Sequence, residues 1–323
     1  MRTTCVSLIM LFAFFAQAQI EALEWALPYS SPDFNISMGL ELDTQDNIYL
    51  AGRFEGSLDM DPGPGSLIFN SHYNNPDFFL KKLDTQGNLL WAKNIIPEDS
   101  MSSKFFWKIY TDELDHIYIA GEFIGKVDFD PGPDTFYVNS FNGIDEDYFL
   151  LKLDASGNFL WVNVLSGEGY KSIISFDADD VGNFYTSGSF RGTIDLDPGT
   201  GLLPDTTVLN AKSFVQKYDA GGNLLWSQTF EADSFVRFTT IRTDNFGNSL
   251  YAGTYEGQVN FDPATTNYIL NSQGENWSMF ALKMDASGNI LWLADLQASK
   301  AGVSRHMVVD SLGNFYNSGL FIG

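Results

Sequence analysis

A nine-residue run, Leu-Asp-x-x-Gly-Asn-x-Leu-Trp, returns four times along the chain, as Leu83 to Trp91, Leu153 to Trp161, Tyr218 to Trp226 and Met284 to Trp292, with its tryptophans 70, 65 and 66 residues apart. A second run, Gly-x-Phe-x-Gly followed by Asp-x-Asp-Pro-Gly, returns as Gly52 to Gly63, Gly121 to Gly132 and Gly188 to Gly199, and in weaker form from Gly253 to Pro263. A fixed period of this length means supersecondary units that bury their apolar faces only by stacking on their neighbours.

The second repeat shows what one unit is made of. Phe105 to Tyr110, His116 to Phe123, Tyr148 to Leu153 and Phe159 to Val164 are rich in aromatic and β-branched residues and read as strands. No segment has helical periodicity. Four short strands joined by tight turns describe one blade of a β-propeller. The expected architecture is therefore all-β, with blades near 34–96, 104–167, 172–231 and 236–297 and a partial unit at 304–323. Both hairpins of a unit use Asp-x-x-Gly-Asn, as in Asp154 to Asn158 and Asp179 to Asn183. The aspartate suits the first position of a type I turn, and the glycine takes the left-handed conformation that follows. Asp46 and Asp115 replace that glycine in two copies, and aspartate is among the few other residues that visit this region.

The repeated tryptophans Trp91, Trp161, Trp226 and Trp292 are expected on fourth strands, docked between blades. Trp25 stands 66 residues before Trp91 and marks a lone fourth strand suited to completing the last blade. The chain stops inside the second motif of a fifth unit, so further blades are expected beyond Gly323, the alternative being a five-bladed ring whose last blade takes the Trp25 strand and lacks one strand. Lys82, Lys152, Lys217 and Lys283 recur before the turn and are expected to point outward, solvated or locally paired.

The 323 residues carry 41 acidic and 18 basic side chains, a formal charge of -23, yet 15% are aromatic. Acidic disorder would lack those aromatics. Such a surface repels phosphate backbones and anionic lipid, so nucleic acid is not an expected partner. Arg2, the apolar stretch from Val6 to Phe15 and the small residues Ala16 and Ala18 form a secretory leader over residues 1–18, cleaved after Ala18. The apolar stretch is too short to span a bilayer comfortably, so no membrane insertion is expected after cleavage. Cys5 leaves with the leader, so the mature chain has neither disulfide nor cysteine-ligated metal.

Each unit holds about twenty residues more than the ~40–45 of a compact propeller repeat, all between its second and third strands. The insert opens with acids two apart, as Asp59 and Asp61, Asp128 and Asp130, and Asp195 and Asp197, with Asp262 alone in the fourth copy beside Asn260. Strand alternation puts each pair on one face. Two carboxylates plus turn carbonyls are Ca²⁺ chemistry, and turn capping is the competing role. Catalytic patterns are thin: His72, His116 and His306 occupy unrelated repeat positions, and no zincin, serine-hydrolase, Walker or dinucleotide motif is present. A catalytic residue should be unique to one unit, whereas nearly every acid that stands out here is repeated.

With these motifs in view, the chain resembles the bacterial β-propeller repeat proteins of the SBBP type. Gly182-Asn183-Phe-Tyr185, Lys152-Leu153-Asp154 and Gly157-Asn158-Phe-Leu-Trp161 carry the resemblance, which covers roughly Trp25 to Gly323. The Asp-Phe-Asp-Pro-Gly-Pro insert is similar to a variant in secreted proteins of gliding-type and related Gram-negative bacteria. The resemblance implies a secreted or cell-surface propeller, and the family's biochemical roles are mostly unassigned. The leading expectation is a non-catalytic binding protein for a glycan or a protein. Two alternatives are a quinoprotein-like enzyme, whose docking motif is similar to Asp154 to Trp161, and a rigid spacer within a longer surface protein.

Overall fold

A computed structural model describes residues 35–72, 76–98, 103–199, 201–207, 210–262, 268–272, 277–296 and 301–322. Trp25 and the leader expected over residues 1–18 lie outside the described residues. Module I comprises β1 (Asn35–Leu42), β2 (Ile48–Phe54), β3 (Ser57–Asp59), β4 (Ile68–Asn70), β5 (Asp77–Leu83) and β6 (Leu89–Ile95). Module II repeats this as β7 (Ser103–Thr111), β8 (Ile117–Ile124), β9 (Lys126–Asp128), β10 (Tyr137–Asn139), β11 (Asp147–Leu153) and β12 (Phe159–Leu165). In module III, β13 (Gly169–Ala178), β14 (Phe184–Asp195), β15 (Pro204–Thr206), β16 (Lys212–Tyr218) and β17 (Leu224–Phe230) follow, with β14 running on into the insert. Module IV holds β18 (Phe235–Thr243), β19 (Ser249–Glu256), β20 (Gln258–Asn260), β21 (Ile269–Asn271), β22 (Ser278–Met284) and β23 (Ile290–Leu296), and module V begins with β24 (Ala301–Val309) and β25 (Phe315–Ile322). The first four modules are each a four-stranded antiparallel meander, ordered first, second, third, fourth. Among the described residues the one helical element is a 3-10 turn at Phe141–Gly143.

The turns form as their chemistry dictates. Asp154 Oδ1 accepts the backbone N–H of Ser156 and of Asn158, each at 2.9 Å, and Asp154 Oδ2 accepts the Asn158 side-chain amide at 2.9 Å. Asp46 and Asp115 stand at φ 63° and 60°, doing the glycine's work. The first strand of every module carries a bulge, for example between Ile173 and Ser175. It pushes a carbonyl against the glycine that opens the second motif. A Cβ on Gly188 would lie 2.1 Å from Ser172 O and 2.4 Å from the Phe214 ring, and Gly52 and Gly253 are as tight. The first glycine of Gly-x-Phe-x-Gly is therefore a packing requirement. The second, at φ 111° in Gly192 and 81° in Gly125, is a conformational one.

The cores lie between sheets. One joins Tyr49, Phe78 and Leu80 of module I to Ile109, Phe123 and Leu151 of module II. The next joins Tyr118 and Leu150 to Phe176 and Phe214, and a third joins Tyr185 and Val215 to Phe238 and Phe280. Each such side chain contributes roughly 1.5–3 kcal/mol by burial, so no module has its full stabilisation alone. Neighbouring first strands are also stitched together. Thr111 Oγ1 donates to Leu42 O at 2.7 Å, Tyr110 Oη to Ala178 O at 3.5 Å, and the Thr243 N–H to Asp177 Oδ2 at 2.7 Å.

The insert differs from a freely projecting loop. Its two short strands pair (β3 with β4, β9 with β10, β20 with β21), and its apolar residues enter the cores: Leu58 and Met60 in module I, Val127 and Phe129 in module II, Val259 and Phe261 in module IV. It also grips the exit of the preceding module. Asp128 N–H donates to Ile96 O at 3.3 Å, Asp195 N–H to Ser166 O at 2.9 Å, and Asp233 N–H to Gln258 O at 3.1 Å. The alternation of apolar and acidic residues thus builds a strap from one module to the next.

Candidate functional site

The strand directions give the molecule two ends. The Asp-x-x-Gly-Asn turns lie at one, called the turn end. The inserts and the connections between modules lie at the other, the insert end.

At the turn end, the repeated side chains are occupied by structure. Tyr49, Lys82 and Trp91 form one cross-strand row, as do Tyr118, Lys152 and Trp161, and Tyr185, Lys217 and Trp226. Trp161 Nε1 donates to Ala220 O at 3.3 Å and Trp226 Nε1 to Ala286 O at 3.1 Å, each a carbonyl in the next module's turn. A Cβ on Gly222 would lie 3.0 Å from the Trp161 ring, and one on Gly157 2.9 Å from Trp91. Trp292 stacks on Phe315 of module V at 5.3 Å. All four indoles are half-buried.

The repeated lysines are not outward-facing. Lys82, Lys152 and Lys217 are buried. Their ammonium groups lie 4.8, 4.8 and 4.9 Å from the Tyr49, Tyr118 and Tyr185 ring centroids. The third strand is covered on both faces, so alternation along it selects between two interiors rather than between core and solvent. Lys82 pairs with Asp43 at 2.7 Å and Lys283 with Asp244 at 2.7 Å, while Lys152 and Lys217 donate to Ala220 O and Ala286 O, both at 3.2 Å.

The insert carboxylates face N–H donors. Asp59 Oδ1 accepts from Asp61 and Leu67 at 3.1 and 2.8 Å, Asp128 Oδ1 from Asp130 and Phe136 at 3.1 and 2.8 Å, and Asp195 Oδ1 from Asp197 and Leu203 at 3.1 and 2.9 Å. Asp61, Asp130 and Asp197 each cap the glycine two residues on, at 2.8, 2.7 and 2.9 Å. Those N–H groups hold the Asp59 carboxyl below the usual range. Asn260 Oδ1 accepts from Asp262 N–H at 3.0 Å, the bond that the acid makes in the other modules. Each of these Oδ1 atoms thus serves as a turn cap. Among the described residues no three acidic, His or Cys side chains gather into a metal-binding group. His72 lies 2.7 Å from Asp77, and His116 2.9 Å from Asp112, each inside its own module.

Applied to the insert end, the criterion of uniqueness picks out residues that the sequence reading passed over. Glu122 stands where the other modules have Arg53, Ser189 and Thr254, and Glu146 stands where they have Pro76, Ala211 and Trp277. Tyr148 Oη donates to Glu122 Oε2. Burial, then the Glu122 charge and a hydrogen bond to it, push Glu146 up to about 7. These groups line a cleft of about 440 Å³ between modules II, III and IV, with Lys108, Tyr170 and Arg237 on its other walls. A second cleft of about 300 Å³ lies one module pair further on, lined by Phe235, Arg237, Thr239, Thr254, Trp277 and Val303. Val303 occupies the first-strand position of Ser172, so the clefts are repeat-equivalent, and Arg237 borders both. The usable signal in the sequence was divergence within aligned repeats.

Charged groups from four modules also meet at the first strands. Burial holds Glu41 of module I above the usual carboxylate range, while Lys108 of module II and Arg242 of module IV draw it down and Asp177 of module III draws it up.

Comparison with known proteins places the chain among repeat folds. No family model matches it. It is 24% identical over 238 residues to an uncharacterized WD repeat-containing protein of Acanthamoeba polyphaga mimivirus, an alignment covering 66% of this chain and 17% of that protein. The chain thus spans about a sixth of that relative's length. Among solved structures, a protein of unknown function from Bacteroides caccae aligns over 84% of this chain and 85% of its own, with 10% identity and a TM-score of 0.31. The extracellular domain of a putative hybrid two-component system from B. thetaiotaomicron aligns over 91% and 41%, with 13% identity and a TM-score of 0.20.

Proposed function

We propose that the chain is a secreted or cell-surface β-propeller, its modules standing radially about an axis beside their first strands, and that it is a non-catalytic binding module whose ligand, a glycan or a protein, is held at the insert end. The observation that carries this reading is the partition of the molecule. Repeated polar residues at the turn end are satisfied by their own or the next module, while the unrepeated Glu122, Glu146 and Trp277 gather around clefts at one end. Glu41 feeling Arg242 across three module steps supports the radial arrangement. Similarity to a WD repeat-containing protein supports an interaction role. The leader-like residues 1–18 support export.

Glycan arrays and purified surface proteins, followed by mass analysis of the bound ligand, test the reading. Retention of an unchanged ligand is expected, with retention lost in Arg237→Ala. A ligand recovered chemically altered would contradict a non-catalytic role, and absorption between ~300 and 450 nm in the purified protein would point to a quinone enzyme instead.

A further inference from the structure

The two insert-end clefts are different in polarity but continuous in position. The larger is walled by Tyr170, 55% exposed, with Phe176 and Ile173 beneath and the Glu122–Glu146 pair at its side. The smaller presents Trp277, 46% exposed, whose ring meets Phe235 edge-on at 5.5 Å. Exposed aromatic faces beside a few fixed polar groups are amphipathic surfaces, suited to ligands with one apolar face and a polar edge. Both volumes fall in or at the edge of the ~300–1,000 Å³ typical of ligand pockets.

Resting on the binding reading above, we infer that the two clefts form one groove for a neutral oligosaccharide, with Tyr170 and Trp277 as stacking platforms and Arg237 bridging them by hydrogen bonds to hydroxyl groups. The charges argue for neutrality. The clefts set Lys108 and Arg237 against Glu122 and Glu146, so neither sign dominates. A polyanionic glycan would meet the chain's formal charge of -23. An amino-sugar polymer would gain from that charge at long range but meet Lys108 and Arg237 inside the groove.

Affinity electrophoresis of the full chain decides it, in native gels containing mixed-linkage β-glucan, arabinoxylan or galactomannan, with alginate and chitosan gels alongside. At least one neutral polysaccharide is expected to retard the protein. Trp277→Ala and Arg237→Ala should each weaken retention at least tenfold and Tyr170→Ala about threefold, with unchanged far-UV circular dichroism. Val181→Ala, at an exposed turn-end site, should leave retention unchanged. Absence of retardation in all three neutral gels overturns the proposal. Retention by alginate or chitosan alone, or by a protein partner, that still depends on Trp277 and Arg237 overturns the neutral-sugar assignment and leaves insert-end binding standing. Retention of any ligand indifferent to all three substitutions removes the insert-end reading itself.

Discussion

The turn end and the insert end of each module are built from the same strands yet use their polar residues in opposite ways. At the turn end the repeated groups have fixed partners within the scaffold: indole N–H to the next module's carbonyl, ammonium to that carbonyl or to a carboxylate of its own module, glycine against ring. At the insert end, the backbone strap between modules is repeated, but the side chains around the clefts are not. Interfaces between identical modules constrain the same position in each copy, whereas a ligand touches each module at a different point. Repetition therefore marks stability, and its loss marks surface free to recognise something else.

Substitutions should separate the two ends by size of effect. The largest belongs to the packing that all modules share. Gly188→Val drives a side chain into Ser172 O and the Phe214 ring and should cost about 3 kcal/mol or more, read as loss of the cooperative transition or a large fall in the denaturant midpoint. Trp161→Ala removes a half-buried indole and its hydrogen bond to module III, with an expected cost of about 2–3 kcal/mol in chemical denaturation. A cost near zero would mean that the indoles do not join modules.

The pH dependence contrasts turn-capping carboxylates with buried ones within one experiment. At the turn end Asp84, Asp219, Asp285 and Asp310 are held below their ordinary value of 3.8, chiefly by the side-chain amides of Asn88, Asn223, Asn289 and Asn314. Depressed folded values give stability that is present above the unfolded value and lost as pH falls through the folded ones. Glu146 moves the other way, from 4.5 to about 7, because of burial and Glu122. Burial likewise raises Glu41, Asp147 and Asp177. Raised carboxyls oppose folding when ionised, and that opposition is relieved as pH falls toward 4.5. Melting temperature should therefore rise modestly from pH 8 to about 5 and drop below about 4. Glu146→Gln should flatten the upper arm and leave the acid arm in place.

The smallest effect is expected at the groove. Trp277→Ala should change stability by no more than about 0.5 kcal/mol, since nearly half of Trp277 is exposed. Equal costs for Trp277→Ala and Trp161→Ala would erase the distinction between the ends.

Much of this architecture was legible in the sequence, because turns and strand alternation are local properties. The four meander strands of module II fall within two residues of the segments read from composition, while its insert strands β9 and β10 were not read, and Asp46 and Asp115 adopt the backbone expected of them. What escaped was set by tertiary cover. The lysine before each turn has one alternation state but two buried faces to choose from. The insert carries the apolar half of its alternation into the cores and so forms a strap between modules. The Glu122–Glu146 contact spans 24 residues and depends on how the insert folds back, so no spacing rule announces it.

A radial array of modules and a straight stack differ in the distances between equivalent sites. Leu90, Leu160, Leu225 and Leu291 are equivalent, exposed fourth-strand positions. Pulsed electron paramagnetic resonance between spin labels at cysteines placed there, in a chain carrying Cys5→Ser, measures the arrangement directly. A radial array predicts a separation between modules I and IV well short of three times that between modules I and II. A separation growing in equal steps from module to module would contradict it.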